Sequence, residues 1–310
     1  MAVSLPEEKE ILVLDGDLSA GGTLPFILPP GLLAFGPDGA GIAVLLELHP
    51  GEFSAVLVPR TGGFTAVSAP FPDTVRQALF SRDGRSLYLL VAGPRGGLSV
   101  VDLASLAESR RLKVCADPAA LDVMRDGRRA FLLCAAGEVA GAGEVAEIDL
   151  ELGIVVRKQP LRDSCGARGF FLSSSETALL VWCAAAGQLL ILDRVTLAPF
   201  DSVAAEPGEA TLVSLRGGGM AGVLYRDPPR LGLIDLGARA VVGSEVLEDT
   251  VLAASVSAGG RFLYLAGVSR LARFDVRSRR IDRSIQLPGR PGGMALWPGD
   301  WESKMRWFFR

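Results

Sequence analysis

Short apolar runs, separated by turns rich in glycine and aspartate, follow one another along nearly the whole chain. The clearest stretch is residues 77–114, in which an apolar run ends at Ser81 and an Asp83-Gly84 turn leads into the next run. A glycine-rich loop then precedes a third run that ends at Asp102, and a fourth run closes the unit. Runs of this length, bounded by turn residues, predict β-strands, and no stretch shows the longer period of an amphipathic helix.

The same four-strand unit recurs at intervals of roughly 40 to 50 residues, a period that predicts a β-propeller. We expect six complete units before the chain ends. In the first strand of each unit, the aligned residues are Ala34, Leu79, Asp122, Phe171, Ser214 and Ser255.

Both ends of the chain carry the remaining pieces of a seventh unit, from about residues 290–310 and 8–28. Its expected parts are a first strand and turn in residues 294–300, then strands at residues 305–309, 11–15 and 23–28. A blade shared by both termini leaves no open sheet edge at the seam. The sequence therefore predicts an all-β fold, namely a seven-bladed β-propeller over residues 1–310 as a single domain, with the last blade closed by strands from both termini.

Two recurring acidic positions invite a functional interpretation but suit turns better. Asp-Gly pairs fit tight hairpins because glycine tolerates positive φ. Aspartate also ends the third strand of six units, and in three of them Ser or Thr follows three residues later, as in side-chain capping of a turn. The Asp-Gly positions are Asp38, Asp83 and Asp126, and the strand-ending positions are Asp15, Asp102, Asp149, Asp193, Asp235 and Asp275. We predict that these carboxylates are structural and not catalytic.

The run from Phe80 to Tyr88, followed by a Val/Ile-x-Asp strand, resembles the YVTN-type repeats of seven-bladed propellers. Those propellers are akin to the large subunits of amine dehydrogenases and to nitrite-reductase-type propellers. Tyr88 and Tyr264 match the family tyrosine, whereas residues 89–91 depart from the Val-Thr-Asn that follows it in the family. The resemblance covers almost the entire chain, and it implies the fold and a possible protein partner such as a separate catalytic subunit.

Composition narrows the class of partner. The 310 residues carry a formal net charge of −3, which gives no case for a nucleic-acid partner. The early sequence predicts neither a secretory signal nor a membrane-spanning helix. The four cysteines lack close metal-type spacing, and we interpret them as small, reduced, buried residues of a cytoplasmic protein. These cysteines are Cys115, Cys134, Cys165 and Cys183, of which Cys134 and Cys183 occupy the same column in adjacent units.

Several chemistries are not favoured by the residues present. The chain has a single histidine, His49, so multi-histidine metal ligation and histidine-ligated haem are not expected. Neither a phosphate-binding loop nor a dinucleotide fingerprint is present, so we expect no cofactor and no metal.

Candidate functional residues fall in the loops that gather at the mouth of a propeller channel, where ligand sites usually lie. Asp122 stands out because a carboxylate among apolar and small residues is costly unless it is paired, and such groups often have shifted pKa values. The alternative is an Asp that contacts water or a neighbouring backbone amide. The candidate catalytic residues are Asp122, Glu209 and Asp249. The candidate substrate-binding residues are Arg76, Arg168, Arg226, Glu47, His49 and Tyr225. The same loops carry further charged residues, namely Glu52, Asp73, Asp117, Glu138, Glu144, Arg162, Asp163, Glu206, Asp227, Arg230, Glu248 and Arg290.

Two hypotheses of different class follow. The first is a small-molecule biosynthetic enzyme with a cofactor-independent acid/base site at the channel mouth. By analogy with strictosidine-synthase-like propellers, its reaction is a ring-forming condensation of the Pictet–Spengler type or a lyase step. The second is a non-catalytic propeller that binds a protein partner or a catalytic subunit.

Overall fold

The computed structural model of this protein describes residues 1–37, 41–49, 52–59, 65–67, 74–135, 143–162, 165–215 and 219–296. Every regular element in these ranges is a β-strand, and none of the ranges holds a helix able to span a membrane. The first fourteen strands are β1 (Ala2–Leu5), β2 (Glu10–Leu14), β3 (Ala20–Pro25), β4 (Pro30–Phe35), β5 (Gly41–His49), β6 (Glu52–Pro59), β7 (Thr65–Val67), β8 (Thr74–Phe80), β9 (Ser86–Ala92), β10 (Gly97–Asp102), β11 (Ala107–Lys113), β12 (Pro118–Val123), β13 (Arg129–Cys134) and β14 (Glu144–Asp149). The others are β15 (Ile154–Pro160), β16 (Ala167–Leu172), β17 (Ala178–Cys183), β18 (Gln188–Asp193), β19 (Pro199–Ala204), β20 (Ala210–Leu215), β21 (Met220–Tyr225), β22 (Arg230–Asp235), β23 (Ala240–Val246), β24 (Val251–Val256), β25 (Phe262–Gly267), β26 (Arg270–Asp275), β27 (Arg280–Gln286) and β28 (Gly293–Ala295).

The strands form seven sheets of four strands each, which are the blades of the predicted seven-bladed β-propeller. In chain order, blade 1 is β4–β7, blade 2 is β8–β11, blade 3 is β12–β15, blade 4 is β16–β19, blade 5 is β20–β23 and blade 6 is β24–β27. Blade 7 has the order β28-β1-β2-β3, so strands from both ends of the chain share one sheet, as expected.

The chain divides into two compact units. Unit 1 comprises residues 1–89, 100–109 and 249–310, and it includes blades 7, 1 and 6. Unit 2 comprises residues 90–99 and 110–248, and it includes blades 3, 4 and 5. The strands of blade 2 are distributed between the two units.

The second strand of blade 7 differs from the expected one. β1 occupies that position, with Ala2 opposite Ala295 on one side and opposite Val13 on the other. The expected strand at residues 305–309 lies outside the described residues. All four residues of β1 are buried, and a strand of only four residues before Pro6 gives a weak periodic signal.

Second strands form the core of each blade because they are buried on both faces. All six residues of β17 are buried, and their side chains alternate between two clusters. Leu179 and Val181 pack with residues of blade 3, whereas Leu180 and Trp182 pack with residues of blade 5. Continuous apolar strands are the expected consequence of a sheet covered on both faces.

The turns confirm the structural role predicted for the recurring aspartates. Gly84 has φ of 68°, and the Asp83 carboxylate accepts a hydrogen bond from the backbone amide of Arg85 at 3.1 Å. At the end of β10, Asp102 accepts hydrogen bonds from both the amide and the hydroxyl of Ser105, each at 2.8 Å. These bonds lower the pKa of Asp102 because they favour its charged form. The Asp38 turn lies outside the described residues.

The interpretation of the cysteines as reduced residues is wrong. Cys115 forms a disulfide with Cys134, and Cys165 forms one with Cys183. Each bond joins the loop that enters a blade to the end of the second strand of that blade. The spacings of 19 and 18 residues within the two pairs match no short sequence motif.

We predict that reduction of the two disulfides destabilises the protein. Each closes a loop of under 20 residues, for which cross-linking contributes about 3 kcal/mol to the free energy of unfolding. Urea denaturation with and without a phosphine reductant measures the change, and a variant with Cys165→Ser and Cys183→Ser isolates one bond. Four thiols that react with Ellman's reagent after denaturation without a reductant would contradict the pairing.

Candidate functional site

Asp122 lies half-buried in β12, the first strand of blade 3, and its carboxylate binds backbone amides. Oδ1 accepts a hydrogen bond from the amide of Val123, and Oδ2 accepts one from the amide of Leu172 in blade 4, both at 2.9 Å. The carboxylate therefore links the first strands of blades 3 and 4. This arrangement corresponds to the structural alternative considered for Asp122, a carboxylate paired with a neighbouring backbone amide.

Glu209 and Arg226 form an ion pair at the same end of blade 5. Their side chains are 3.0 Å apart and both are well exposed. Glu209 precedes β20 and Arg226 follows β21, and the amide of Arg226 also donates to the carbonyl of Glu209. An exposed pair of this kind contributes only about 0–1 kcal/mol to stability, so its main effect is to hold two loops together.

Asp249 and four further candidates lie in or next to blades 1, 2, 4 and 6. Asp249 lies before β24, and its Oδ2 accepts hydrogen bonds from the amide and the hydroxyl of Ser269, at 2.6 and 3.1 Å. It therefore fixes the turn between β25 and β26. Of the others, Glu47 and His49 are exposed in β5, Arg76 is exposed in β8, and Arg168 is exposed in β16.

Tyr225, the last candidate, lines a cleft of about 520 Å³ between blades 4 and 5. We call this the Tyr225 cleft. It lies within unit 2, and its lining is mostly apolar or small with a charged group at one end. The lining residues are Ala204, Ala205 and Glu206 from blade 4 and the loop after it, and Val223, Tyr225, Arg230, Gly232, Ile234, Val241, Gly243 and Ser244 from blade 5.

Two glycines contribute to the lining of the cleft. A Cβ atom at Gly232 would lie 3.1 Å from Cε2 of Tyr225, so the aromatic ring occupies the space of the missing side chain. Gly243 pairs with Leu233, at the position where Arg157 and Arg283 of blades 3 and 6 reach the following blade. Its neighbour Ser244 pairs with Gly232, so the Ser244 side chain faces the cleft.

The charged end of the cleft is organised around Tyr225. Arg230 lies flat on its ring, with Cζ 4.1 Å from the ring centroid, and donates a hydrogen bond to the Glu206 carboxylate. The Tyr225 hydroxyl donates to the backbone carbonyl of Glu206 at 3.1 Å. Burial raises the pKa of Tyr225, and the hydrogen bond from Arg230 lowers the pKa of Glu206. Arg230 and Glu206 are thus a fixed pair of opposite charges.

Two buried polar atoms beside Tyr225 have no hydrogen-bond partner. They are Nε of Arg230 and Nε1 of Trp182, the only such side-chain atoms among the described residues. The Trp182 ring meets Tyr225 edge-on, with centroids 6.1 Å apart. Unpaired buried donors are uncommon in native proteins, so these two atoms set this region apart from the rest of the described core.

Sequence reasoning named one residue of this cleft as a candidate. Tyr225 was predicted to bind substrate, which stays a prediction, and Glu206 and Arg230 were counted only among the charged loop residues. Gly232 was missed, although a glycine in a strand where other units carry a side chain signals a close approach of another group. The structure brings Glu209 together with Arg226, and it engages Asp122 and Asp249 in separate structural hydrogen bonds.

No protein-family model matches the chain, and no curated protein sequence matches it. Among solved structures, it is similar to hydrazine synthase from Kuenenia stuttgartiensis, with 18% sequence identity, coverage of 89% of this chain and 92% of that chain, and a TM-score of 0.74. It is also similar to the periplasmic gluconolactonase PpgL of Pseudomonas aeruginosa, with 19% identity, coverage of 94% and 96%, and a TM-score of 0.71.

A third similar structure is the β-propeller domain of Cps50 (Swd1) from Myceliophteria thermophila. It shares 15% identity over 87% of this chain and 90% of that chain, with a TM-score of 0.70. At these identities the likeness shows the fold, and it is consistent with the propeller resemblance found in the repeats. The similar structures include a synthase, a gluconolactonase and a β-propeller domain whose title names no activity, so a function has to be argued from the chain's own residues.

We predict that Asp122→Asn destabilises the protein, because the amide cannot accept hydrogen bonds at both positions. The expected loss is about 1–3 kcal/mol of unfolding free energy, since one buried backbone amide is left without its acceptor. Urea denaturation measures the loss, and Glu151→Gln, at an exposed turn, is the matched control. Unchanged stability in Asp122→Asn would argue against the structural role and in favour of the catalytic one.

Proposed function

We propose that this protein is a small-molecule-binding propeller whose ligand occupies the Tyr225 cleft. The observation that carries the proposal is the cleft itself, with a volume of about 520 Å³ and a fixed charged pair at one end. Small-molecule sites are typically concave, apolar over most of their lining and oriented by a few polar groups. A volume of roughly 300–1,000 Å³ is usual for them.

The ligand class follows from the lining. Val223, Ile234 and Val241 offer an apolar floor, so the ligand has an apolar body. Arg230 and Glu206 offer one positive and one negative group side by side, so a molecule with both an acidic and a basic group is complementary to them. A zwitterionic molecule such as an amino acid with an apolar side chain meets both requirements.

Binding is better supported than acid/base catalysis. The Tyr225 hydroxyl is engaged with a backbone carbonyl, and burial raises its pKa further above neutral pH, which suits it poorly to proton transfer. Asp122, Glu209 and Asp249 all have structural partners.

An acid/base enzyme is the second candidate, because the Glu206 side chain is 69% exposed at the edge of the cleft. A base there could serve the predicted condensation or lyase chemistry. The named functions of two similar structures, a synthase and a gluconolactonase, accord with an enzyme of this fold.

The two disulfides support a location in an oxidising compartment as part of the proposal. Structural disulfides form and persist outside the reducing cytosol. The predicted cytoplasmic location rested on the lack of a recognisable targeting segment and on reduced cysteines, and the second premise does not hold in the structure. One similar structure is described as periplasmic. Mass spectrometry of the protein recovered from its native host, with thiols alkylated before reduction, tests the location through the redox state.

We predict that Ser244→Leu abolishes ligand binding while the protein stays folded, since Ser244 is exposed, lines the cleft and pairs with Gly232 on the cleft side of blade 5. The probes are leucine and phenylalanine, compared with isopentylamine and 4-methylpentanoate, which each lack one of the two charges. A ligand at ten times its Kd stabilises the folded state by about 1.4 kcal/mol, which thermal denaturation detects as a higher Tm.

The matched control is Ser284→Leu, the same substitution at the corresponding exposed position of blade 6, where Ser284 pairs with Ala272. We expect wild type and this control to respond to the zwitterions and Ser244→Leu not to respond. The proposal fails if no zwitterion raises the Tm of the wild type, or if Ser244→Leu responds as the wild type does.

A further inference from the structure

A second cleft, of about 330 Å³, lies between the other ends of blades 4 and 5, also within unit 2. We call it the Phe200 cleft. Its blade 4 side is formed by the turn at residues 173–177 and the start of β19, and its blade 5 side by β20, the start of β21 and the turn before β23. It shares no lining residue with the Tyr225 cleft.

The Phe200 cleft exists because two blades depart from the repeated unit at the same position. In the turn between the first and second strands, a backbone amide donates a hydrogen bond to the carbonyl five residues later, for example from Ser257 to Phe262 or from Ser173 to Ala178. The residue just before the one that accepts this bond is arginine in blades 2, 3 and 6, namely Arg85, Arg128 and Arg261. In blades 4 and 5 the same position holds Thr177 and Gly219.

Blade 6 shows what an arginine does at this position. Arg261 donates through Nε and Nη2 to the Asp275 carboxylate at 3.2 Å, and its guanidinium lies 4.8 Å from the centroid of the Phe262 ring. The side chain therefore covers the end of its blade. Thr177 and Gly219 are too short to do so, and both line the Phe200 cleft.

One wall of the cleft is a row of hydroxyl groups. Oγ of Ser175 lies 3.3 Å from Oγ of Ser173 and 2.8 Å from Oγ1 of Thr177. Ser174 lines the cleft in the same turn, and Ser214 does so from blade 5. A hydroxyl group both donates and accepts hydrogen bonds, so this wall suits a ligand that is itself rich in hydroxyl groups.

The other wall is apolar and aromatic. Phe200 is 60% exposed, an unusual degree for a phenylalanine, and the buried side chains of Phe171 and Leu180 lie behind it. A large exposed apolar side chain beside a cavity favours contact with the apolar face of a ligand.

The charges at the cleft are balanced. Nε of Arg239 lies 2.8 Å from Oδ2 of Asp201, and both residues line the cleft. The pair supplies further donors and an acceptor without net charge, so neither an anion nor a cation is favoured over a neutral polar molecule.

From this geometry we propose that the Phe200 cleft binds a neutral sugar ring. A pyranose has an apolar C–H face that stacks on an aromatic side chain and a rim of hydroxyl groups that exchange hydrogen bonds with serine, threonine and a charged pair. The cleft offers these partners together: the exposed Phe200 ring, the hydroxyl row at residues 173–177 and the Asp201–Arg239 pair. This site is independent of the Tyr225 cleft.

The test uses D-glucose, D-galactose, D-mannose and N-acetyl-D-glucosamine as probes at up to about 100 mM, because single sugars usually bind with Kd near the millimolar range. Saturation-transfer NMR detects binding, and calorimetric titration gives the Kd.

Two variants probe opposite walls of the Phe200 cleft. Thr177→Arg restores the arginine of the other blades and fills the cleft. Phe200→Ala removes the aromatic face at an exposed position, where folding is little affected.

The matched control is Val195→Arg, which adds the same charge at a 61% exposed position of blade 4 outside the lining. We expect at least one sugar to bind the wild type and this control, with the Kd raised at least tenfold in both Thr177→Arg and Phe200→Ala. The proposal is overturned if none of the four sugars binds the wild type, or if binding is unchanged in both variants.

Discussion

The burial of each second strand on both faces is the constraint on which the blades depend. β17 is the clearest case, because Leu179 and Val181 need apolar partners in blade 3 while Leu180 and Trp182 need them in blade 5. A four-stranded sheet cannot supply either cover by itself, so a single blade would leave a large apolar face in water. The repeated sequence is the consequence, since every copy must present side chains of suitable size to the copies beside it.

The same constraint explains why both clefts lie between blades 4 and 5. Blade 5 carries Gly219 and Gly232 where other units have larger side chains, and blade 4 carries Thr177 in place of an arginine. Short side chains at the two ends of one interface leave space there, while Trp182 and Val203 keep the middle closed. The repeated unit therefore closes the interface wherever side chains from both blades meet, and the clefts lie where one blade lacks its usual side chain.

Much of the fold could be predicted from the sequence, because its signals are local. Strand period, the Gly84 turn and the capping by Asp102 and Asp193 each depend on residues within about six positions of one another. β1 escaped prediction because four residues carry little periodicity. The disulfides escaped it because the entering loop returns to the end of the second strand only in the folded blade. The clefts depend on side chains that two neighbouring blades both lack. The sequence prediction relied on charged residues in the loops, and these give no information about missing side chains elsewhere.

β17 also connects the disulfides to the Tyr225 cleft. Cys183 ends this strand and is bonded to Cys165 on the face that meets blade 3. The preceding residue, Trp182, points to the opposite face and meets Tyr225 edge-on. Successive side chains of a strand lie on opposite faces. The disulfide is therefore anchored one residue from Trp182, which contacts the Tyr225 ring on which Arg230 rests. One strand thus carries a disulfide on the face towards blade 3 and, one residue away, the aromatic support of the charged end of the cleft on the face towards blade 5.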